Sequence, residues 1–219
     1  MAVLGVDGWR GRWVGALLSG RRVTLLVLPD PTAVLAVPDA EVIAIDMPIG
    51  LSDDGARRCD VEARTRLGRA GGSVYPAPLR PVLDCAGYAE ACAVSRAASG
   101  KALSRQTWGL VPAIRALDAA LDGAARVHEV HPELAFRALD GRVHDRKASA
   151  RGQAQRLRAL ASVMDVLDAL TDGPPGVPLV DALDACAVAW SAQRIADGVA
   201  ESVGGDERDS CGRPMRISW

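Results

Sequence analysis

Three groups of acidic residues could do chemistry together. Asp7 closes the apolar run Ala2-Val3-Leu4-Gly5-Val6-Asp7, and Asp46 closes a second, Val42-Ile43-Ala44-Ile45-Asp46. Asp181 and Asp184 stand three residues apart in Asp181-Ala182-Leu183-Asp184-Ala185, a spacing that puts both on one face of a helix. Carboxylates are the ligands that Mg²⁺ and Mn²⁺ prefer, and two such ions roughly 3.5–4 Å apart clamp an in-line displacement at phosphorus. Asp7, Asp46, Asp184 and Asp181 are therefore the candidate metal ligands and catalytic residues. Simpler roles compete with this one. Asp7-Gly8 is a favoured turn dipeptide, Asp46 before Met47-Pro48 suits a turn, and Asp181 in a first helical turn meets the helix dipole. Asp184 is hardest to explain structurally. Small apolar residues follow it, and an unpartnered buried carboxylate is costly.

Glu129 and Glu133 flank His131-Pro132 and are further catalytic candidates. Alternation in a strand would put Glu129 and His131 on one face, and His131 could orient water or phosphate. Arg10, Arg58, Arg64 and Arg80 are the candidate substrate contacts, because a guanidinium donates two parallel bonds to a phosphate. Asp60 and Glu62 could instead pair with the arginines near them. A weaker basic cluster holds Arg142, Arg146, Lys147 and Arg151. The sequence has no G-x-G-x-x-G and no G-x-x-x-x-G-K-[ST], so neither a Rossmann cofactor site nor a P-loop is expected.

The elements that must position these residues follow from periodicity. Strands are expected at 2–7, 12–18 and 22–28, with Ser19-Gly20-Arg21 as a hairpin connector. A short helix follows Pro31, then a strand at 42–46, ended by Pro48 and Gly50. An Arg-rich helix at 57–69 leads into a Gly- and Pro-rich loop at 70–82. Helices are expected at 86–98 and 108–121, and a strand at 126–130. His131-Pro132-Glu133 opens a further helix. A long helix is expected at 149–170 from the spacing of Leu157, Leu160, Met164 and Leu167, and the last helix at about 179–197. Three antiparallel strands followed by separate later strands is the order of an RNase H-like α/β fold. Its mixed sheet has flanking helices and, here, a helical insertion at about 52–124 of one 219-residue domain. In that fold the first strand is central and the fourth lies beside it. Asp7 and Asp46 would then face one cleft bordered by the last helix.

Composition narrows the setting. The net charge of -1 argues against a generic nucleic-acid coat protein, so any basic surface must be local. Lys101 and Lys147 are the only lysines among 26 basic residues. Five cysteines without a C-x-x-C spacing, and no leader-like segment, point to a reducing cytoplasm. No apolar stretch approaches the ~20 residues of a membrane span. The Ala-rich helices at 86–98 and 108–121 would suit a homo-oligomer interface or a lid equally well.

Several segments together resemble a known family. They are Gly5-Val6-Asp7-Gly8-Trp9-Arg10-Gly11-Arg12-Trp13-Val14, Ile45-Asp46-Met47-Pro48-Ile49-Gly50-Leu51, Ser73-Val74-Tyr75-Pro76-Ala77-Pro78, Glu129-Val130-His131-Pro132-Glu133 and Asp181–Ala185. The family is domain of unknown function 429, described as predicted RNase H-like nucleases. The resemblance implies an RNase H-like fold and a Mg²⁺- or Mn²⁺-dependent nuclease or phosphodiesterase acting on nucleic acid or a nucleotide. Asp7, Asp46 and Asp184 would be its foremost ligands. Asp181-x-x-Asp184-Ala185 is also similar to the closing motif of junction resolvases. Those enzymes usually carry a glutamate where this chain has Asp46, and a strongly basic surface. An ATP- or phosphometabolite-handling enzyme on the same core and a non-catalytic binding module are the alternatives.

Overall fold

The computed structural model describes residues 1–121 and 126–219. The chain divides into two compact units. The first comprises Met1–Met47, Gly123–Glu201 and Ser218–Trp219, and the second Pro48–Asp122 and Ser202–Ile217.

The first unit is built on a five-stranded sheet of β1 (Ala2–Trp9), β2 (Arg12–Ser19), β3 (Arg22–Leu28), β4 (Ala40–Ile45) and β5 (Val127–Glu129). The spatial order is β3-β2-β1-β4-β5. β1, β2 and β3 pair antiparallel through tight turns, whereas β1–β4 and β4–β5 pair parallel. This is the RNase H-like arrangement, with β1 central. The sequence explains it locally: β1, β2 and β4 carry apolar stretches at 2–6, 13–18 and 42–45 rich in Val, Ile, Leu and Ala, as strands covered on both faces require.

β1 runs past the expected end at Asp7. Gly8 and Trp9 continue the pairing opposite Trp13 and Arg12, and the chain reverses at Arg10-Gly11. Both turn residues have positive φ, 47° at Arg10 and 75° at Gly11, as a two-residue hairpin with strand-matching twist demands. Asp7-Gly8 is therefore strand and not turn.

Helices α1 (Pro31–Leu35), α5 (Pro132–Leu139), α6 (Ala150–Ala161), α7 (Val166–Asp172) and α8 (Leu179–Ala196) complete the first unit. The helix expected at 149–170 is two. The break follows Ala161, where Ser162 Oγ donates to Ala159 O and Asp165 N is taken by Arg21 O at 2.8 Å. Leu160 and Met164 are buried as the spacing requires, but Leu167, in the second helix, is 58% exposed.

α8 packs on β1 at backbone contact. A Cβ on Gly5 would lie 2.0 Å from Ala189 N and 2.4 Å from Ala185 O, so only glycine fits there. The facing helix is correspondingly small: Ala182, Ala185, Ala189 and Ala192 are all buried.

The second unit contains α2 (Arg58–Leu67), α3 (Tyr88–Ser99) and α4 (Arg105–Ala120). The Gly- and Pro-rich loop between α2 and α3 holds two 3₁₀ stretches, Gly68–Ser73 and Arg80–Asp84. Buried ion pairs organise this unit. Arg57 pairs with Asp60, whose carboxylate also accepts from Ala77 N at 2.9 Å, and Arg80 and Arg213 share Asp118. Among the described residues no helix is long and apolar enough to cross a membrane.

Candidate active site

Alternation along β1 places Asp7 on the face of Gly5, the face pressed against α8. Asp184 sits on α8 one residue before Ala185, which touches Gly5. Asp46 follows β4 directly, and its N–H donates to Val6 O at 2.9 Å, which extends the parallel pairing to the level of Asp7. Strand order, a glycine and an alanine-rich helix thus gather the three aspartates foremost in the sequence.

Asp7 is 8% and Asp184 1% exposed. Burial, with the charges of Asp46 and Asp184, drives the Asp7 carboxyl well above the ordinary carboxylate range. Burial and Asp184 push Asp46 up to about 7. Asp184 is raised as well, by burial, even though it holds an ammonium. Asp181, half-buried at the start of α8, is raised by burial against the opposing charges of Lys147 and Arg10.

The partners of these carboxylates are few. Asp7 Oδ1 accepts from Gly8 N at 2.9 Å. Asp184 Oδ2 accepts from Lys147 Nζ at 2.7 Å, and Asp184 Oδ1 is buried with no hydrogen-bond partner. Lys147 is not among the residues that motif and spacing singled out as a site. It lies in the polar segment between α5 and α6, and the one signal pointing to it is a lysine retained in an arginine-rich chain. Asp184 and the hydrogen bond to it, then the charges of Asp46 and Asp7, hold its ammonium firmly protonated against the cost of burial.

Glu133, in the first turn of α5, is held by Arg156, whose Nη2 donates to Oε1 at 2.6 Å. Its negative charge adds to the repulsion on Asp46 and Asp184. His131 caps α5, with Nδ1 accepting from Glu133 N at 3.3 Å. Glu129 is buried in β5 opposite Ile45. Arg10 is exposed at the β1–β2 turn.

The other expected substrate contacts belong to the second unit. Arg58 pairs with Glu62 at 2.6 Å, Arg64 donates to Val74 O at 2.6 Å, and Arg80 pairs with Asp118 and Asp209. Each has a partner inside that unit.

The donor chemistry fits a hard divalent cation. The ligands are carboxylate oxygens, their burial penalises unneutralised charge, and Asp184 Oδ1 is an acceptor without a donor. The fit is one of chemistry. Among the described residues no three His, Cys, Asp or Glu side chains converge closely enough to hold one ion as they stand. Asp7, Asp46 and Asp184 would be the ligands, with Asp181 at the rim.

A mixed sheet of RNase H-like order carrying a buried acidic cluster at β1, β4 and α8 defines the class. The chain matches the family described as "protein of unknown function (DUF429)" over residues 5–209, and it belongs to that family. No curated protein and no solved structure matches it.

Proposed function

We propose that this chain is a cytoplasmic, divalent-cation-dependent phosphodiesterase of nuclease type, acting on nucleic acid or a nucleotide. The observation that supports it is Asp184, a buried carboxylate with one oxygen unpartnered, grouped with Asp7 and Asp46 whose carboxyls are raised by burial and by neighbouring carboxylates. Asp7, Asp46 and Asp184 would hold Mg²⁺ or Mn²⁺. A bound cation supplies Lewis acidity to a phosphoryl oxygen and, as a pair, clamps attacking and leaving oxygens. Arg10 offers its exposed guanidinium to a phosphate three residues along the chain from Asp7. Glu133 and His131 sit at the start of α5, where Arg156 and the cap fix them.

The non-catalytic module is favoured by one observation, the Lys147 ammonium already seated in the cluster. A Mn²⁺ titration separates the readings. In the wild type, Mn²⁺ raises the melting temperature and switches on cleavage of labelled DNA or RNA, and Asp7→Asn loses both while staying folded. Stabilisation with hydrolysis of nucleotides alone would move the substrate to small phosphoesters. An Asp7→Asn variant as active as wild type sinks the mechanism.

A further inference from the structure

We infer that Lys147 is the site's exchangeable counter-cation: its ammonium holds Asp184 in the cation-free protein and yields that carboxylate when a divalent cation enters. The inference rests on the cation-dependent reading above and concerns how the site is kept before loading.

The segment that carries Lys147 is built with care. Val143 anchors it in the core at 1% exposure. Gln155 Oε1 accepts from His144 N and Asp145 N at 3.4 and 3.1 Å, and its Nε2 donates to Asp145 Oδ2 at 2.7 Å. Arg156 Nη1 donates to Asp145 O at 3.0 Å. Ser149 N closes onto Arg146 O at 2.9 Å. A Cβ on Gly152 would stand 2.1 Å from Arg146 O, so α6 meets this segment at backbone contact. The backbone on both sides of Lys147 is therefore fixed. Its side chain is 48% exposed, so only the tip reaches the carboxylates and the stem can withdraw through solvent.

Residue type points the same way. Only two of the 26 basic residues are lysines. An arginine would grip a carboxylate with a rigid two-pronged fork, whereas an ammonium is a compact point charge on a flexible stem. Asp184 is divided between two states, with Oδ2 on the ammonium and Oδ1 without a donor.

Two lysines make the test direct. Wild-type protein is labelled at pH 8 with an amine-reactive ester, with and without Mn²⁺, and the two sites are read by mass spectrometry. The melting temperature is followed in parallel. Lys101, exposed and in the second unit, is the internal reference. The expected result is slow labelling of Lys147 without Mn²⁺ and several-fold faster labelling at Mn²⁺ concentrations that raise the melting temperature, with Lys101 unchanged. Lys147→Met should bind Mn²⁺ roughly tenfold more tightly, the worth of one charge-assisted bond no longer competing. Stabilisation by Mn²⁺ with no change at Lys147, or equal affinity in Lys147→Met, overturns this inference and leaves the proposed function standing. No effect of Mn²⁺ on wild type or variant overturns both. Stabilisation of the variant alone also overturns it, because the lysine then does not yield to the ion.

Discussion

Asp46→Asn should make the cation-free protein more stable at pH 8 and leave it unchanged at pH 4. Burial, with the charge of Asp184, raises the Asp46 carboxyl from 3.8 to about 7 in the folded protein. Between those values the folded chain keeps a proton that the unfolded chain has released. The contribution is thus fully present below about pH 4 and is lost as pH rises to about 7. A displacement of about three units is worth ~4 kcal/mol at 1.36 kcal/mol each. Partial exposure of Asp46 reduces this, so about 2–3 kcal/mol is expected at pH 8. For a chain of this length that is roughly 4–12 °C in melting temperature. Asp7 and Asp184 are raised too, so the wild type should lose stability from pH 5 to 8 by more than Asp46 alone accounts for. Urea unfolding followed by circular dichroism at pH 4, 6 and 8, in EDTA, measures all of this. Adding Mn²⁺ at pH 8 should reverse the order, because the wild type gains a ligand-bound cation and the variant has lost a ligand. Wild-type stability that is flat or rising from pH 5 to 8 in EDTA would refute the reasoning, as would an asparagine variant no more stable than its parent.

Gly5→Ala should be among the most damaging single-methyl changes in the chain, because its Cβ would meet Ala189 N at 2.0 Å and both neighbours are backbone. We expect about 3 kcal/mol or more of lost stability and loss of the Mn²⁺ response. Gly15→Ala, whose Cβ meets only side-chain atoms from 3.2 Å outward, is the control, and equal melting temperatures for the two would count against the packing argument. Arg156→Met leaves Glu133 and the carbonyls of Asp145 and Gly152 without their buried donor, so a cost of about 3–5 kcal/mol is expected in a urea melt. A loss under 1 kcal/mol would show that water replaces it. Gly152→Ala pushes against Arg146 O and should speed labelling of Lys147 without any cation, and an unchanged rate would mean that this contact does not hold the lysine in place.

Much of the sheet was legible because buried strands are written as continuous apolar runs, and the carboxylates end or nearly end those runs. What escaped has identifiable causes. Arg10-Gly11 lacks the Asn or Asp that usually marks a two-residue turn, so β1 reads as ending at Asp7 when it continues to Trp9. The helical pattern from Leu157 to Leu167 has the right spacing, yet the break after Ala161 comes from a tertiary contact, Asp165 N to Arg21 O, across 144 positions of sequence. Ser202–Ile217 joins the second unit through contacts distant in sequence, with Asp209 taking Arg80 and the N–H of Leu51. Lys147 sits among arginines in a polar connector, and nothing in its neighbours announces that Gln155, Arg156 and Gly152 aim that connector at Asp184.

The alanine run of α8 and the acidic cluster are one feature. Ordinary side chains would hold a helix farther from the sheet it covers. Here Gly5 and four alanines let backbone meet backbone, and that approach sets Asp184 within the fields of Asp7 and Asp46. The same approach removes water, which is why all three carboxyls are pushed upward and not merely crowded. A larger residue at 185 or 189 would push α8 outward and lower the electrostatic cost, but at an overpacking cost like that expected for Gly5→Ala. The sequence keeps Gly5, Ala185 and Ala189 together with Asp7, Asp46 and Asp184, an arrangement whose stability at neutral pH depends on positive charge at the site. One ammonium supplies part of that charge. The other Asp184 oxygen has no donor.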